Sequence, residues 1–149
     1  MKTLWAYNLL GILAGFLITF QPGLNSILSQ KLGSPILAAF ISFLIGTLIL
    51  FFVLMSLKIH PPALQTIQSV PWWAWTGGML GAFLVTISIL LAPRVGALSL
   101  MVLFLTGQTL ASVLCDHFGL AGFPVHPINV LRIIGLILLF SGLYLINKF

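Results

Sequence analysis

The chain has 149 residues, of which 60% are hydrophobic and 5% are charged, and the charged residues are six bases and one acid, Asp116. Because a water-soluble domain is about one quarter charged, this composition excludes one and favours a chain that lies in lipid. The bases are scattered singly, so the net charge of +5 does not indicate nucleic-acid binding. The single cysteine, Cys115, excludes an internal disulfide and a cysteine-based metal site within one chain.

Five apolar runs follow one another, and turn residues, prolines and charges separate them. The predicted transmembrane spans are about 4–28, 35–57, 72–92, 97–115 and 129–146. A backbone in lipid must satisfy its own hydrogen bonds, and these runs are too long and too evenly apolar for barrel strands. We therefore expect an all-α integral membrane protein in which five transmembrane helices form a single domain over residues 1–149.

Span one carries two carboxamides in its second half. Gln21 and Asn25 lie four residues apart and share a helix face, and Pro22 between them can kink the helix and free a carbonyl. Polar side chains at this depth are costly unless they face a cavity or the helix bundle. We expect Gln21 and Asn25 to bind substrate at a kink formed by Pro22; the alternative is hydrogen bonding between helices.

The connections between spans carry their own signals. Gly33 suits a helix C-terminal cap, and Ser34 followed by Pro35 suits the start of the next helix. Residues 72–75 contain three tryptophans, which is typical of the membrane interface, although an aromatic cage for a cation is the alternative. Residues 93–96 are predicted to form a short turn.

Small residues recur at four-residue spacing in two spans. Gly11 and Gly15 form one small face on span one, and Gly77 and Gly81 form another on span three. Such faces let helix backbones approach closely, so the pattern predicts helix packing.

Span four carries a polar stripe, because Gln108, Ser112 and Asp116 follow at steps of four. Gln108 and Ser112 are further candidates for substrate binding. Asp116 is the only carboxylate side chain that can take up a proton or bind a sodium ion, so it is the candidate coupling group. The alternative for Asp116 is a surface ion pair with Arg132 or a contact with His117.

The distribution of bases predicts how the chain inserts. Five spans place the termini on opposite sides, and the six bases then divide equally between the two sides: Lys2, Lys58 and Arg132 against Lys31, Arg94 and Lys148. The positive-inside rule then gives no preferred orientation. Either the rule is overridden, or the chain inserts both ways and pairs as an antiparallel homodimer of ten helices, which we favour.

No pattern of a soluble active site is present. The sequence has no HExxH, no phosphate-binding loop and no paired carboxylates, and its three histidines do not lie at metal-ligand spacing. We therefore expect neither an enzyme nor a resident cofactor or metal.

A set of motifs runs in a fixed order along the whole chain. They are Gln21 and Asn25, Gly33-Ser34-Pro35, Ile41-Ser42-Phe43 with Gly46, Pro71-Trp72-Trp73 with Gly77-Gly78 and Gly81, Ala92-Pro93-Arg94-Val95-Gly96-Ala97, Gly107-Gln108, and Asp116-His117-Phe118-Gly119. With them the chain resembles the short, five-helix YdcZ-like family of the drug/metabolite transporter superfamily. The resemblance implies half of a ten-helix transporter, which would have to pair. Related four-helix multidrug exporters carry a glutamate in their first helix, and span one has no acid.

These observations favour a secondary transporter of the bacterial inner membrane that moves a small polar or amphipathic metabolite or drug by alternating access. The expected partners are a second copy of the chain, the lipid bilayer and a small-molecule substrate. The alternatives are a passive dual-topology channel and a non-transporting membrane subunit of a larger complex.

Overall fold

The computed structural model describes the backbone of residues 2–149 and the side chains of residues 5–149. Over this part the chain is helical and contains no strand, which confirms the all-α prediction. Its α-helices are α1 (Lys2–Ile18), α2 (Gln21–Leu32), α3 (Pro35–Ser56), α4 (Leu64–Gln68), α5 (Gly77–Phe118) and α6 (Val130–Lys148). Four stretches are long and apolar enough to cross a membrane: Trp5–Leu32, Pro35–Ser56, Trp72–Phe118 and Val130–Lys148.

The first apolar run forms two helices rather than one continuous helix. α1 ends at Ile18 and α2 begins at Gln21, with a tight turn in which the Phe20 N–H donates to the Leu17 carbonyl at 3.2 Å. Pro22 therefore lies in the first turn of α2. The sequence suggested that Pro22 kinks a continuous helix from inside, and the structure does not show this kink. The N–H that proline lacks has no intrahelical acceptor in a first turn, so Pro22 costs the helix little there.

The turn between α2 and α3 follows the prediction. Gly33 has φ 71° and ψ 9°, the left-handed conformation of a helix C-cap. Ser34 is the N-cap of α3, and its Oγ accepts a hydrogen bond from the Leu37 N–H at 3.3 Å. Pro35 occupies the first helical position, so three consecutive residues end one helix and start the next.

α5 contains 42 residues and would extend about 63 Å if straight, roughly twice the thickness of a bilayer core. It is interrupted at Gly96, which has φ 77° and ψ 169°. The predicted turn over 93–96 is thus reduced to one non-helical residue, because Pro93 is accommodated within the helix. Residues 77–95 and 97–118 are each long enough to cross a bilayer.

The chain divides into two compact units, residues 1–94 and 95–149. The core of the first unit is small: Ala38 and Ala39 of α3 pack with Val85 and Ile89 of α5, and Leu28 of α2 packs against them. In the second unit the buried apolar side chains are Leu100, Val102 and Leu143.

α1 differs from α2, α3 and the first half of α5, which each carry buried residues. Every side chain in residues 5–18 is exposed, and the main helix contact of α1 is with α2, the next helix in the chain. The tryptophans at 72, 73 and 75 are also exposed, in a short 3-10 helix, Trp72–Thr76, that precedes α5. Because α1 is exposed on all faces, lipid or another chain must cover it.

Candidate functional site

The first unit contains a cavity of about 260 Å³ between the start of α2 and one face of α3. Gln21 contributes from α2, and Ser42, Phe43, Gly46, Thr47 and Leu50 contribute from α3. Residues three or four apart are neighbours on a helix surface, so the steps 42–46–50 and 43–47 place these α3 residues on adjacent rows of one face. The cavity thus offers one carboxamide and two hydroxyls and no charged group.

Asn25 does not line this cavity, although it lies one turn after Gln21. The residue is 6% exposed, and its Nδ2 has no hydrogen-bond partner among the side chains and backbone that the structure describes. A buried donor without an acceptor costs about 1–3 kcal/mol. Asn25 therefore has an amide donor without an acceptor among the described residues, in the interior of the first unit.

The second unit contains two cavities that share Ser112 and Asp116. The larger, of about 310 Å³, lies between the end of α5 and the start of α6. The smaller, of about 210 Å³, is lined by Gln108, Ala111, Ser112, Cys115, Asp116 and Phe123. Gln108, Ser112 and Asp116 therefore lie together, and Asp116 contributes to both spaces.

Asp116 forms an ion pair with Arg132 at the end of the larger cavity. The Arg132 Nη1 lies 3.4 Å from the Asp116 Oδ2 and also donates to the His126 carbonyl at 2.8 Å. The two side chains are 41% exposed for arginine and 38% exposed for aspartate. The surface ion pair that the sequence left open for Asp116 is therefore present, with Arg132 and not His117 as the charged partner.

Backbone and side-chain hydrogen bonds hold this pair in place. The His126 N–H donates to the Asp116 carbonyl at 2.7 Å, and the Ile128 N–H donates to the His117 Nδ1 at 3.3 Å. Asn129 is the N-cap of α6, and its Oδ1 accepts from the Arg132 N–H at 2.9 Å. The connection between α5 and α6 is thus tied to both helices.

Gly119 allows this connection to turn back on α5. Its φ of 65° is left-handed, and a Cβ at this position would come within 2.8 Å of the Val125 Cγ2. A larger residue would therefore meet both backbone strain and a clash.

Three of the four predicted packing glycines face open space within the described part of the chain. A Cβ at Gly11, Gly15 or Gly77 would meet nothing within 4 Å, whereas one at Gly81 would lie 3.4 Å from the Phe43 Cζ. Gly81 thus faces α3, and close packing at the other three stays a prediction for contacts outside the chain.

Ser42 and Thr47 line this cavity but are not among the predicted site residues, because hydroxyls in a membrane helix can bond to their own backbone and need no further role. Their five-residue separation around Gly46 was the available signal. Two hydroxyls at this spacing do not form a regular polar stripe on a helix. Only the packing of α2 on α3 brings them to the same cavity as Gln21.

A family model described as "Putative inner membrane exporter, YdcZ" matches residues 6–145 of the chain. The chain is 27% identical over 137 residues to the inner membrane protein YdcZ of Escherichia coli strain K12, and the alignment covers 92% of this chain and 91% of that relative. No solved structure matches the chain. The residues matched by the family model include those that line the three cavities described above.

Proposed function

We propose, from the premise that the chain belongs to the YdcZ family, that it is a secondary transporter that moves a small polar or amphipathic molecule by alternating access. It is an inner membrane protein of a transporter family and not of an enzyme family. The family description names an exporter, and export is the direction that we adopt for the chain.

The observation that carries this proposal is that polar side chains on otherwise apolar helices line cavities. Gln21 lines the cavity of the first unit, and Gln108, Ser112 and Asp116 line the smaller cavity of the second. Polar side chains within spans are retained where they face a cavity or a partner, and a space of about 300 Å³ is at the small end of those that bind small molecules.

The transporter would work as an antiparallel homodimer that spans residues 1–149 as one domain in each copy. A chain of five spans is small for enclosing a pathway, and two inverted copies would provide ten helices around a midplane site. The exposure of α1 on all faces supports this pairing, as do the open positions at Gly11 and Gly15. The equal division of the six bases supports insertion in both orientations.

Substitution of the cavity glutamines tests the site. A panel of metabolites is first screened for those that raise the melting temperature of the purified protein, because a molecule that binds the folded state stabilises it. Exchange of a stabilising metabolite is then measured in proteoliposomes. Gln21→Ala and Gln108→Ala should abolish exchange and leave folding and dimerisation intact, whereas Gln65→Ala, in the exposed α4, should exchange normally.

The outcomes separate the alternatives. Normal exchange in both cavity variants would reject the site. Large unitary currents in place of saturable exchange would indicate a channel, and a protein with neither flux nor a dimer would indicate a non-transporting subunit.

Cysteine labelling tests the antiparallel arrangement. A cysteine is introduced next to Lys148 after Cys115→Ser has removed the native thiol, and membrane-impermeant reagents are applied from each side of the membrane. Dual insertion predicts that each side labels part of the population. Labelling from one side only would reject the inverted dimer.

A further inference from the structure

We propose that the Asp116–Arg132 pair binds the zwitterionic head of an amino-acid-like solute, whose apolar side chain lies in the 310 Å³ cavity. Arg132 would take the carboxylate of the solute and Asp116 its ammonium group. This inference rests on the proposed transport function, because it names the substrate class of one cavity.

The pair leaves much of its bonding capacity unused. A guanidinium has five N–H donors, and the bonds of the Arg132 side chain within the described part of the chain all come from Nη1. Among residues 5–149, Asp116 receives one side-chain contact, on Oδ2 at 3.4 Å. Arginine–carboxylate pairs that are optimised for strength are often bidentate, with distances of about 2.7–2.9 Å. Asp116 Oδ1 and the Nε and Nη2 of Arg132 thus remain available to a solute.

The juxtaposed charges select against a solute with a single charge. A free carboxylate that approached Arg132 would be repelled by Asp116, and a free ammonium that approached Asp116 would be repelled by Arg132. A zwitterion offers each charge an opposite partner, because its ammonium and carboxylate are attached to one carbon. The repulsion gives selectivity that attraction alone would not provide.

The rest of the cavity suits an apolar side chain. Val113 of α5 and Leu136 and Leu139 of α6 form its apolar wall, and Thr109 and Ser112 add two hydroxyls. Seven residues separate Arg132 from Leu139, so the lining extends about 10 Å along the helix from the charged end. A head group at the ion pair would thus leave room for an aliphatic side chain beside the leucines.

A purely structural role is the competing explanation, because Arg132 also contacts the His126 carbonyl and could simply hold the connection between α5 and α6. The two roles make different predictions for solutes with one charge. If the pair is only structural, it should bind neither the positively nor the negatively charged solute. If it is a simple ionic site, it should bind one of the two.

The test measures the melting temperature of the purified full-length protein with three solutes that share one aliphatic group. They are leucine, which is zwitterionic; leucinamide, which carries only the positive charge; and 4-methylpentanoate, which carries only the negative charge. We expect leucine to raise the melting temperature in a saturable way, with an affinity at least tenfold above that of either analogue. No shift with leucine, or an equal shift with either analogue, would overturn the proposal.

Variants assign the effect to the pair. Asp116→Asn and Arg132→Gln should each abolish the leucine shift, and Arg132→Lys, which keeps the charge, should weaken it. Arg94→Gln removes a base that does not line the cavity and should leave the shift unchanged. An unchanged shift in both Asp116→Asn and Arg132→Gln would place leucine elsewhere and contradict the proposal.

A parallel exchange assay separates this proposal from the transport function. Exchange of other metabolites without a leucine-induced shift in melting temperature would support the transport function and reject the zwitterion site. A charge-selective leucine shift without exchange of any solute would support the site and reject the transporter.

Discussion

The two units of the molecule place polar groups differently. The cavity of the first unit is lined by uncharged groups, and Asn25 nearby is buried with its amide unpaired. The larger cavity of the second unit carries an aspartate and an arginine that both remain well exposed, at the end of α5 and in the first turn of α6. Charges are tolerated at helix ends, where water reaches them, while positions within a span accept neutral amides and hydroxyls.

A substitution at Gly96, next to the boundary between the units, has the largest expected effect on stability. Gly96 has φ 77° and ψ 169°, a region that is essentially restricted to glycine and costs other residues about 1–3 kcal/mol. Gly96→Ala should lower the free energy of unfolding by that amount, measured by thermal or denaturant unfolding in detergent. Gly107→Ala is the control, because Gly107 is helical and a Cβ there meets nothing within 4 Å. Equal stability of the two variants would show that residue 96 adopts ordinary helical angles.

The unpaired amide of the first unit gives the next effect. Asn25→Leu replaces a buried donor that has no acceptor with an apolar side chain of similar size, so it should raise the free energy of unfolding by about 1–2 kcal/mol. Ser88→Ala is the control, because the Ser88 hydroxyl already donates to the Val85 carbonyl and its removal brings no gain. A loss of stability in Asn25→Leu would mean that the amide is hydrogen-bonded in the assembled protein.

Each unit also has a helix that begins with a side-chain N-cap, and the capping hydrogen bonds differ in length. The Asn129 Oδ1 accepts at 2.9 Å, whereas the Ser34 Oγ accepts at 3.3 Å. Loss of an N-cap costs about 1 kcal/mol, so both alanine variants should be destabilised, and Asn129→Ala more so. Unfolding of the two variants under identical conditions measures the difference. A larger loss in Ser34→Ala would contradict this order.

The ion pair of the second unit gives the smallest effect on stability. Because both side chains are about 40% exposed and meet at 3.4 Å, solvent screens their attraction. A double-mutant cycle with Asp116→Asn and Arg132→Gln should give a coupling energy below about 1 kcal/mol. A coupling of several kcal/mol would show that the pair is buried in the assembled protein.

Several features that depend on neighbouring residues were predicted from the sequence, whereas the break before Gln21 and most contacts between helices were not. The cap at Gly33 and the start at Ser34 depend on their own backbone, and the stripe from Gln108 to Asp116 depends on helical spacing. The break before Gln21 escaped prediction because neither Thr19 nor Phe20 is a turn former, and the neighbouring proline was a plausible alternative cause.

The candidate site of the first unit was only half predicted, because it depends on packing between helices. Gln21 was identified by its depth in an apolar run, but Ser42 and Thr47 join it only because α2 packs on α3. The partner of Asp116 was among the alternatives, since Arg132 was the base nearest to it across the next connection. These parts of the two sites therefore depend on contacts between helices, which sequence periodicity does not predict.

Cys115, the sole cysteine of the sequence, lines the smaller cavity together with Gln108 and Asp116 and is half-buried. The protein thus carries a natural attachment point for one fluorophore or spin label beside the candidate site. Quenching or mobility of that label would report solute entry and solvent access in the wild-type chain. In a two-copy assembly, the distance between the two labels would measure the geometry of pairing with a single reagent.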